Sequence, residues 1–235
     1  MKPVDQRLLD AIRNNAEWCD LVCRSHGVPG RFHEYAWVNE HSVPAFYPNV
    51  ISLQPGGAAA EHIEALLDAG LPRAWGVKDS FACLSLEALG FRPLFEATWF
   101  WRAFVHETTA SPTTWRVVDI TAELAEWETA WAAAGGFTGR RAFPTELLQN
   151  ENVLFVCDWQ AIAGLIAFSS GPVIGISNIF GVGAHHLDEA LAVVTTRYPG
   201  LPFVGYEPAG ANNLLPACGF EALGPLRVWE RSGDG

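Results

Sequence analysis

The sequence predicts a mixed α/β protein (α+β in places) built as two related half-chains in tandem, each a mixed β-sheet flanked by helices. Three observations carry this prediction. An ordered series of short segments recurs about 130 residues apart. Strand-like apolar runs alternate with helix-like stretches in both halves. Between the halves, Glu107 to Thr114 is rich in Thr, Ser and Pro and reads as a linker, so residues 1–108 and 115–235 are the expected domains.

The recurrence is specific in its order. Leu71-Pro72-Arg73-Ala74-Trp75-Gly76-Val77-Lys78-Asp79 is followed by Gly90-Phe91-Arg92-Pro93-Leu94-Phe95 and then Trp99-Phe100-Trp101-Arg102. In the second half Leu201-Pro202-Phe203-Val204-Gly205-Tyr206-Glu207 leads to Gly219-Phe220-Glu221-Ala222-Leu223-Gly224 and closes on Arg227-Val228-Trp229-Glu230-Arg231. Upstream, Asn49 to Leu53 precedes the helix-like Ala58 to Asp68, and Val173 to Asn178 precedes the helix-like His186 to Arg197.

Along the chain, Gln6 to Arg24 places Leu8, Leu9, Ile12, Trp18, Leu21 and Val22 at helical spacing. Tyr35 to Val38 and Asn49 to Leu53 are short strands between Pro-containing loops. Trp115 to Ile120 is a strand, and Thr121 is the expected N-cap of a helix over Ala122 to Ala134, stopped by Gly135-Gly136. Val153 to Cys157 and Ala161 to Phe168 form a strand pair turned at Asp158-Trp159-Gln160, with Asp158 a turn former, and Gly171-Pro172 leads into Val173 to Phe180.

Composition bounds the chemistry. Hydrophobic residues make up 49% and charged residues 17%, which favours a well-packed core. Ten tryptophans and fourteen phenylalanines serve packing or wall a pocket for a planar or apolar ligand. A net charge of -11 argues against general binding to nucleic acid or anionic membranes and mildly favours an amine-bearing acceptor. Arg140-Arg141 is the one paired basic site. Met1 to Asp20 is polar and charged, unlike a secretory leader, and no apolar run reaches the roughly 18 to 20 residues that span a bilayer. The expectation is a cytoplasmic protein with reduced thiols. Cys19 and Cys23 share a helix face with no second Cys/His pair nearby, so no metal is expected. The sequence holds neither a nucleophilic triad motif nor a Lys-containing phosphate loop.

The stretch Trp115 to Arg231 resembles the GNAT superfamily of acetyltransferases. It follows the order strand, helix, antiparallel meander, helix, strand, short helix and Gly-Phe strand, and Leu214-Leu215-Pro216-Ala217-Cys218-Gly219-Phe220 is similar to the family's last-helix ending. The first half, Asn49 to Arg102, matches only the family's later elements and reads as a degenerate copy. The resemblance implies a thioester donor seated where two parallel strands part, here Val173 to Phe180 and Phe203 to Glu207. It also implies a pyrophosphate loop, matched by Asn178-Ile179-Phe180-Gly181-Val182-Gly183 ahead of a helix whose free N–H groups favour anions. Asn stands where the family has Gln or Arg, and the same two glycines also suit an ordinary strand-to-helix turn. Gln54-Pro55-Gly56-Gly57-Ala58 in the first half is shorter and Pro-interrupted, so donor binding is not expected there.

The implied donor site is therefore Ile179, Phe180, Gly181, Val182, Gly183 and Asn212, with His185 and His186 opening the next helix about 100° apart. Where the family commonly has a tyrosine acid, this chain has Leu215, and Leu86 in the first half. The candidates left for catalysis are Glu207 as base, and Ser177 and Asn178 beside the thioester carbonyl. Glu207 equally fits a solvated strand-end carboxylate, and Asn178 a side chain satisfying its own backbone. Lys78-Asp79-Ser80 is read as an acceptor-side or structural feature.

The function implied is acyl transfer to a small-molecule amine from acetyl-CoA or another acyl-CoA, or from a carrier protein thioester. The alternatives are a non-catalytic ligand-binding or scaffold protein, which the missing tyrosine favours, aminoacyl-tRNA-dependent transfer, and decarboxylation of an acyl thioester in the same gap.

Overall fold

The computed structural model describes residues 3–70, 75–104, 114–135, 141–211 and 213–232. The linker expected over 107–114 falls almost wholly outside the described residues, as do Arg140 and Asn212. The chain is a mixed α/β protein whose described elements run α1 (Gln6–Ser25), β1 (Arg31–Phe32), β2 (Ala36–Val38), β3 (Val50–Ser52), α2 (Ala59–Asp68), β4 (Trp75–Asp79) and β5 (Arg92–Arg102). They continue through β6 (Trp115–Val118), α3 (Thr121–Gly135), β7 (Val153–Asp158), β8 (Gly164–Ser170), β9 (Val173–Phe180), α4 (Ala184–Arg197), β10 (Phe203–Pro208), α5 (Leu214–Ala217) and β11 (Glu221–Arg231). Short 3₁₀ turns stand at Glu87–Leu89 and Thr145–Gln149.

These elements form two compact units. The first holds Met1–Trp99, Glu207–Gly210 and Leu223–Gly235; the second holds Phe100–Tyr206 and Ala211–Ala222. The last strand, β11, lies mostly in the first unit. In the first unit β11 lies antiparallel to β4, with Trp229 opposite Val77 and Arg227 opposite Asp79. In the second, Phe100 joins the core and Arg102 pairs with Asp188 at 2.6 Å.

In the first unit the strand order is β1-β2-β3-β4-β11-β5, with β3 and β4 parallel. Alternation on the strands sends Ala36, Val38, Val50 and Val77 into a core with Ile63 and Leu66 of α2. Trp37 and Lys78, on the intervening positions, meet α1: Trp37 Nε1 donates to Asp20 Oδ1 at 3.0 Å, and Lys78 Nζ donates to Asn15 Oδ1 at 2.7 Å. Helix α1 begins where Asp5 accepts the Arg7 N–H at 2.9 Å.

In the second unit the order is β10-β9-β8-β7-β6. Helix α4 buries Leu187, Leu191 and Val194 against Ile174, Ile176 and Phe203. Trp127 of α3 packs edge-on against Phe143, Phe155 and Phe180, and its indole N–H donates to the Val156 carbonyl at 3.0 Å. Thr121 is the first helical residue of α3 rather than its cap, and the Ile120 carbonyl accepts the Leu124 N–H.

The recurring segments adopt matching local geometry. Gly90 (φ 82°) and Gly219 (φ 75°) each end a short helical turn in the left-handed region, where glycine is favoured. The N–H of Phe91 then donates to the Leu86 carbonyl, and that of Phe220 to the Leu215 carbonyl, at 3.2 and 3.1 Å. Leu86 and Leu215, the two positions discussed for the missing tyrosine, are both buried.

Candidate active site

The site grows from β9. Its parallel ladder with β10 pairs Phe203 with Ile174 and Val204 with Gly175, and stops there, although β9 continues to Phe180 and β10 to Pro208. On its other edge β9 carries a bulge. The antiparallel register with β8 jumps from Ile166↔Ser177 to Gly164↔Phe180, so Asn178 and Ile179 together face one residue, Leu165. Asn178 supplies the left-handed turn the bulge needs, at φ 53°, a conformation asparagine tolerates better than most residues.

The bulge reverses the facing of everything after it. Ile174 and Ile176 face the α4 core, and so does Ile179; Phe180 crosses to the Trp127 side at 5.1 Å between ring centroids. The Phe180 side chain is thus part of the core. The Asn178 amide donates to Ser177 Oγ at 3.0 Å, and both side chains are half-buried. A hydroxyl that accepts this bond keeps its own proton to donate.

After β9 the chain turns into α4. Gly181 has φ 64°, and a Cβ there would collide with the Ile162 carbonyl oxygen. This glycine is therefore required by the backbone of the neighbouring turn, whatever it does for a ligand. Gly183 is the N-cap of α4, extended at φ −95° and ψ 171°, and makes no side-chain cap. A Cβ on it would meet nothing within 4 Å. Gly181, Gly183, Ala184, His185 and His186 are all exposed, while Val182 packs against the α4 core. The open first turn offers backbone N–H groups and the positive end of the helix dipole to an anion. Acidic groups one turn on are held by partners: Asp188 by Arg102, and Glu189 by Thr114 and Trp115 at 2.9 and 3.1 Å. Cys218, at the end of α5, donates its thiol to the Ala184 carbonyl at 3.3 Å and ties the two helices together.

The first unit treats the corresponding strands differently. The Ser80 N–H donates to Ser52 Oγ at 2.8 Å, joining the end of β4 to the end of β3, and Trp99 Nε1 donates to the Ser80 carbonyl at 3.0 Å. Buried Asp79 accepts the Leu84 N–H at 2.8 Å. Lys78-Asp79-Ser80 is thus packed into the fold. At the Gly56-Gly57 loop, the Gly56 N–H donates to Cys83 Sγ at 3.4 Å, and the α2 cap Ala58 is helical rather than extended.

Glu207 is half-buried on β10 and groups with the first unit, whereas Ser177, Asn178 and 181–183 lie in the second. Asn212 lies outside the described residues. Sequence reasoning passed over Trp159 and Ile162, exposed on the turn beside Gly181, and Tyr206, which follows the end of the β9–β10 ladder. The signal for the first two was an apolar pair inside a turn otherwise suited to polar residues. Asp158 does form that turn, accepting the N–H groups of Ile162 and Ala163 at 2.8 and 3.1 Å.

A parallel pair that parts beside a bulged strand and an open helix start decides the comparison with known architectures. The chain has the GNAT fold. It is similar across 96% of its length, and of the other chain's, to a GCN5-related N-acetyltransferase from Kribbella flavida, with a TM-score of 0.60 and 15% identity. A functionally unknown conserved protein from Staphylococcus epidermidis matches 87% of this chain over 93% of its own, with a TM-score of 0.58 and 8% identity. No family model and no curated protein matches the sequence. At these identities the GNAT likeness is one of fold. Among the described residues no three His, Cys, Asp or Glu side chains gather as a metal site, and no helix is long and apolar enough to cross a membrane.

Proposed function

We propose that the protein is an N-acyltransferase of the GNAT type, in which the second half of the tandem holds an acyl-CoA and passes its acyl group to a small amine. The observation that supports this most directly is the uncapped, exposed start of α4 beside the strand pair whose ladder ends at Val204 and Gly175. The donor's pyrophosphate would take the N–H groups after Gly183, and its pantetheine arm would run between β9 and β10. Ser177 and the backbone around the Asn178 bulge stand where the thioester carbonyl would develop negative charge. The amine nitrogen attacks the carbonyl carbon, the C–S bond breaks, and the thiolate leaves. Glu207 accepts the proton that the amine loses, and water returns one to the thiolate, since Leu215 offers none. Positioning of amine and thioester supplies much of the rate.

The burial of Leu215 at the tyrosine position favours a second reading, a donor-binding protein without turnover. Binding and turnover separate the two. Calorimetry with CoA, acetyl-CoA and longer acyl-CoAs on the purified protein comes first, together with Gly183→Asp. An aspartate at this cap would bond the α4 N–H groups itself, keeping or slightly raising the melting temperature while competing with a phosphate. The donor reading expects binding by the wild type and at least a tenfold loss in the variant. Equal affinity in the two proteins would remove α4 from the donor site. Glu207→Gln should then lower turnover without weakening donor binding; a donor bound with no turnover on any amine supports the second reading.

A further inference from the structure

Two histidines of the first unit meet away from the site described above. The ring centres of His33, between β1 and β2, and His62, on α2, are 4.5 Å apart, and the rings are tilted by 39°. Both positions are fixed by their elements. The His33 N–H donates to the Ala36 carbonyl and the Leu53 N–H to the Tyr35 carbonyl, each at 2.8 Å, so backbone bonds hold the β1–β2 turn. On α2, Ala59, Ile63 and Leu66 are buried in the core, which leaves His62 half-buried on the flank that meets this turn. His33 is exposed, so the pair is open to solvent.

Imidazole nitrogens are favoured ligands of late first-row transition metals. An ion about 2 Å from one nitrogen of each ring, in neighbouring coordination positions, sets the ring centres roughly 4.5 to 5 Å apart. The spacing of His33 and His62 meets that requirement. Glu34 and Glu61, the exposed sequence neighbours of the two histidines, add negative charge at the rim. Glu34 accepts the Tyr35 hydroxyl, and Glu61 is near enough to act on both Tyr35 and His62. We propose that His33 and His62 together bind one divalent late transition-metal ion, Cu²⁺ or Ni²⁺, as a two-nitrogen clip between α2 and the β1–β2 turn. Two protein nitrogens are fewer than a closed structural zinc centre uses, so water fills the remaining positions, and Cu²⁺ binds more tightly than Ni²⁺. The two rings come together only in the folded chain, so the ion stabilises the first unit.

The test uses the tag-free full chain, stripped of metal by a chelator, as the wild type, His33→Gln and His62→Gln. His41→Gln, at an exposed histidine outside the pair, is the control. Calorimetry with Cu²⁺ and with Ni²⁺ should give one site in the wild type, weakened at least about tenfold by either pair variant and unchanged by the control. The EPR spectrum of the Cu²⁺ complex should show two imidazole nitrogens in the wild type and one in either variant. Saturating Ni²⁺ should raise the urea midpoint of the wild type and leave that of both variants where it was. Circular dichroism of the metal-free proteins should show all four folded alike. No bound ion, an affinity that neither variant lowers, or a loss confined to one variant overturns the pair. Weak binding shared among several histidines shows an adventitious ion only and overturns it too. An unmoved midpoint overturns the clip.

Discussion

Gly181 stands so close to the carbonyl of Ile162 that no side chain fits between them. Its φ of 64° adds a second demand for glycine. Gly181→Ala should therefore lower stability by about 2–4 kcal/mol, because the turn at 158–163 must shift and an alanine must hold a left-handed conformation. Gly183→Ala, in open space with an extended backbone, should cost less than about 1 kcal/mol. Urea unfolding of the two variants checks this; equal losses would contradict the geometry. A charged substitution at Gly181 is for the same reason a poor probe of ligand binding.

Asp20 joins α1 to the β1–β2 region. One carboxylate oxygen accepts the N–H of Gly30 and of Trp37, both at 3.0 Å, and the other meets Arg24 at 2.5 Å. Asp20→Ala would leave two buried donors without a partner and should cost about 2–4 kcal/mol, read from the urea midpoint. Arg24→Ala, removing the more exposed partner, should cost less than about 1 kcal/mol.

Thiol reactivity should divide the cysteines. All five are free, and Cys83 alone is exposed. Burial pushes Cys23 up to about 12, with Cys19 and Asp20 adding to it, and pushes Cys157 up to about 11. At pH 8 an aromatic disulfide reagent should modify one thiol in the native protein and all five in denaturant, and Cys83→Ser should abolish the native reaction.

His62 stacks on His33 with ring centroids 4.5 Å apart. Burial, and then the His33 charge, hold its pKa below the ordinary 6.5, against an opposing pull from Glu61. The folded state thus binds a proton at His62 less readily than the unfolded chain. Its contribution is present above pH 6.5 and is lost as pH falls through the lowered folded value. His62→Gln should flatten the fall in unfolding midpoint between pH 7.5 and 5. An unchanged slope would assign that fall to other groups.

The elements that were legible in the sequence are those whose signals are local. The periodicity of α1 and α4, the run of β9 and the Gly-Phe step after Leu86 and Leu215 all survive with bounds within a few residues. The Asp158 turn was legible too, because a short acceptor side chain at a hairpin needs no tertiary partner. Phe180 was not, because the bulge at Asn178 changes its face and depends on the pairing of β9 with β8. Nor was the necessity of Gly181, which comes from a carbonyl 19 positions away. The unit membership of β11 depends on a pairing that no local pattern announces. Glu207, Ser177 and the 181–183 loop stay a proposed site, placed by strand ends rather than by any motif specific enough to name a reaction.

The position of β11 also bears on how the protein is made. Trp229 belongs to the core that contains Trp75 and Val77, residues about 150 positions earlier in the chain. On the ribosome, β4 emerges long before the neighbour it will finally pair with, and one edge of it waits. That wait is an interval of exposure to proteases, chaperones and the same edge on other nascent chains. Completion of the first unit is therefore timed by the arrival of β11 rather than by synthesis of the unit's own first 99 residues.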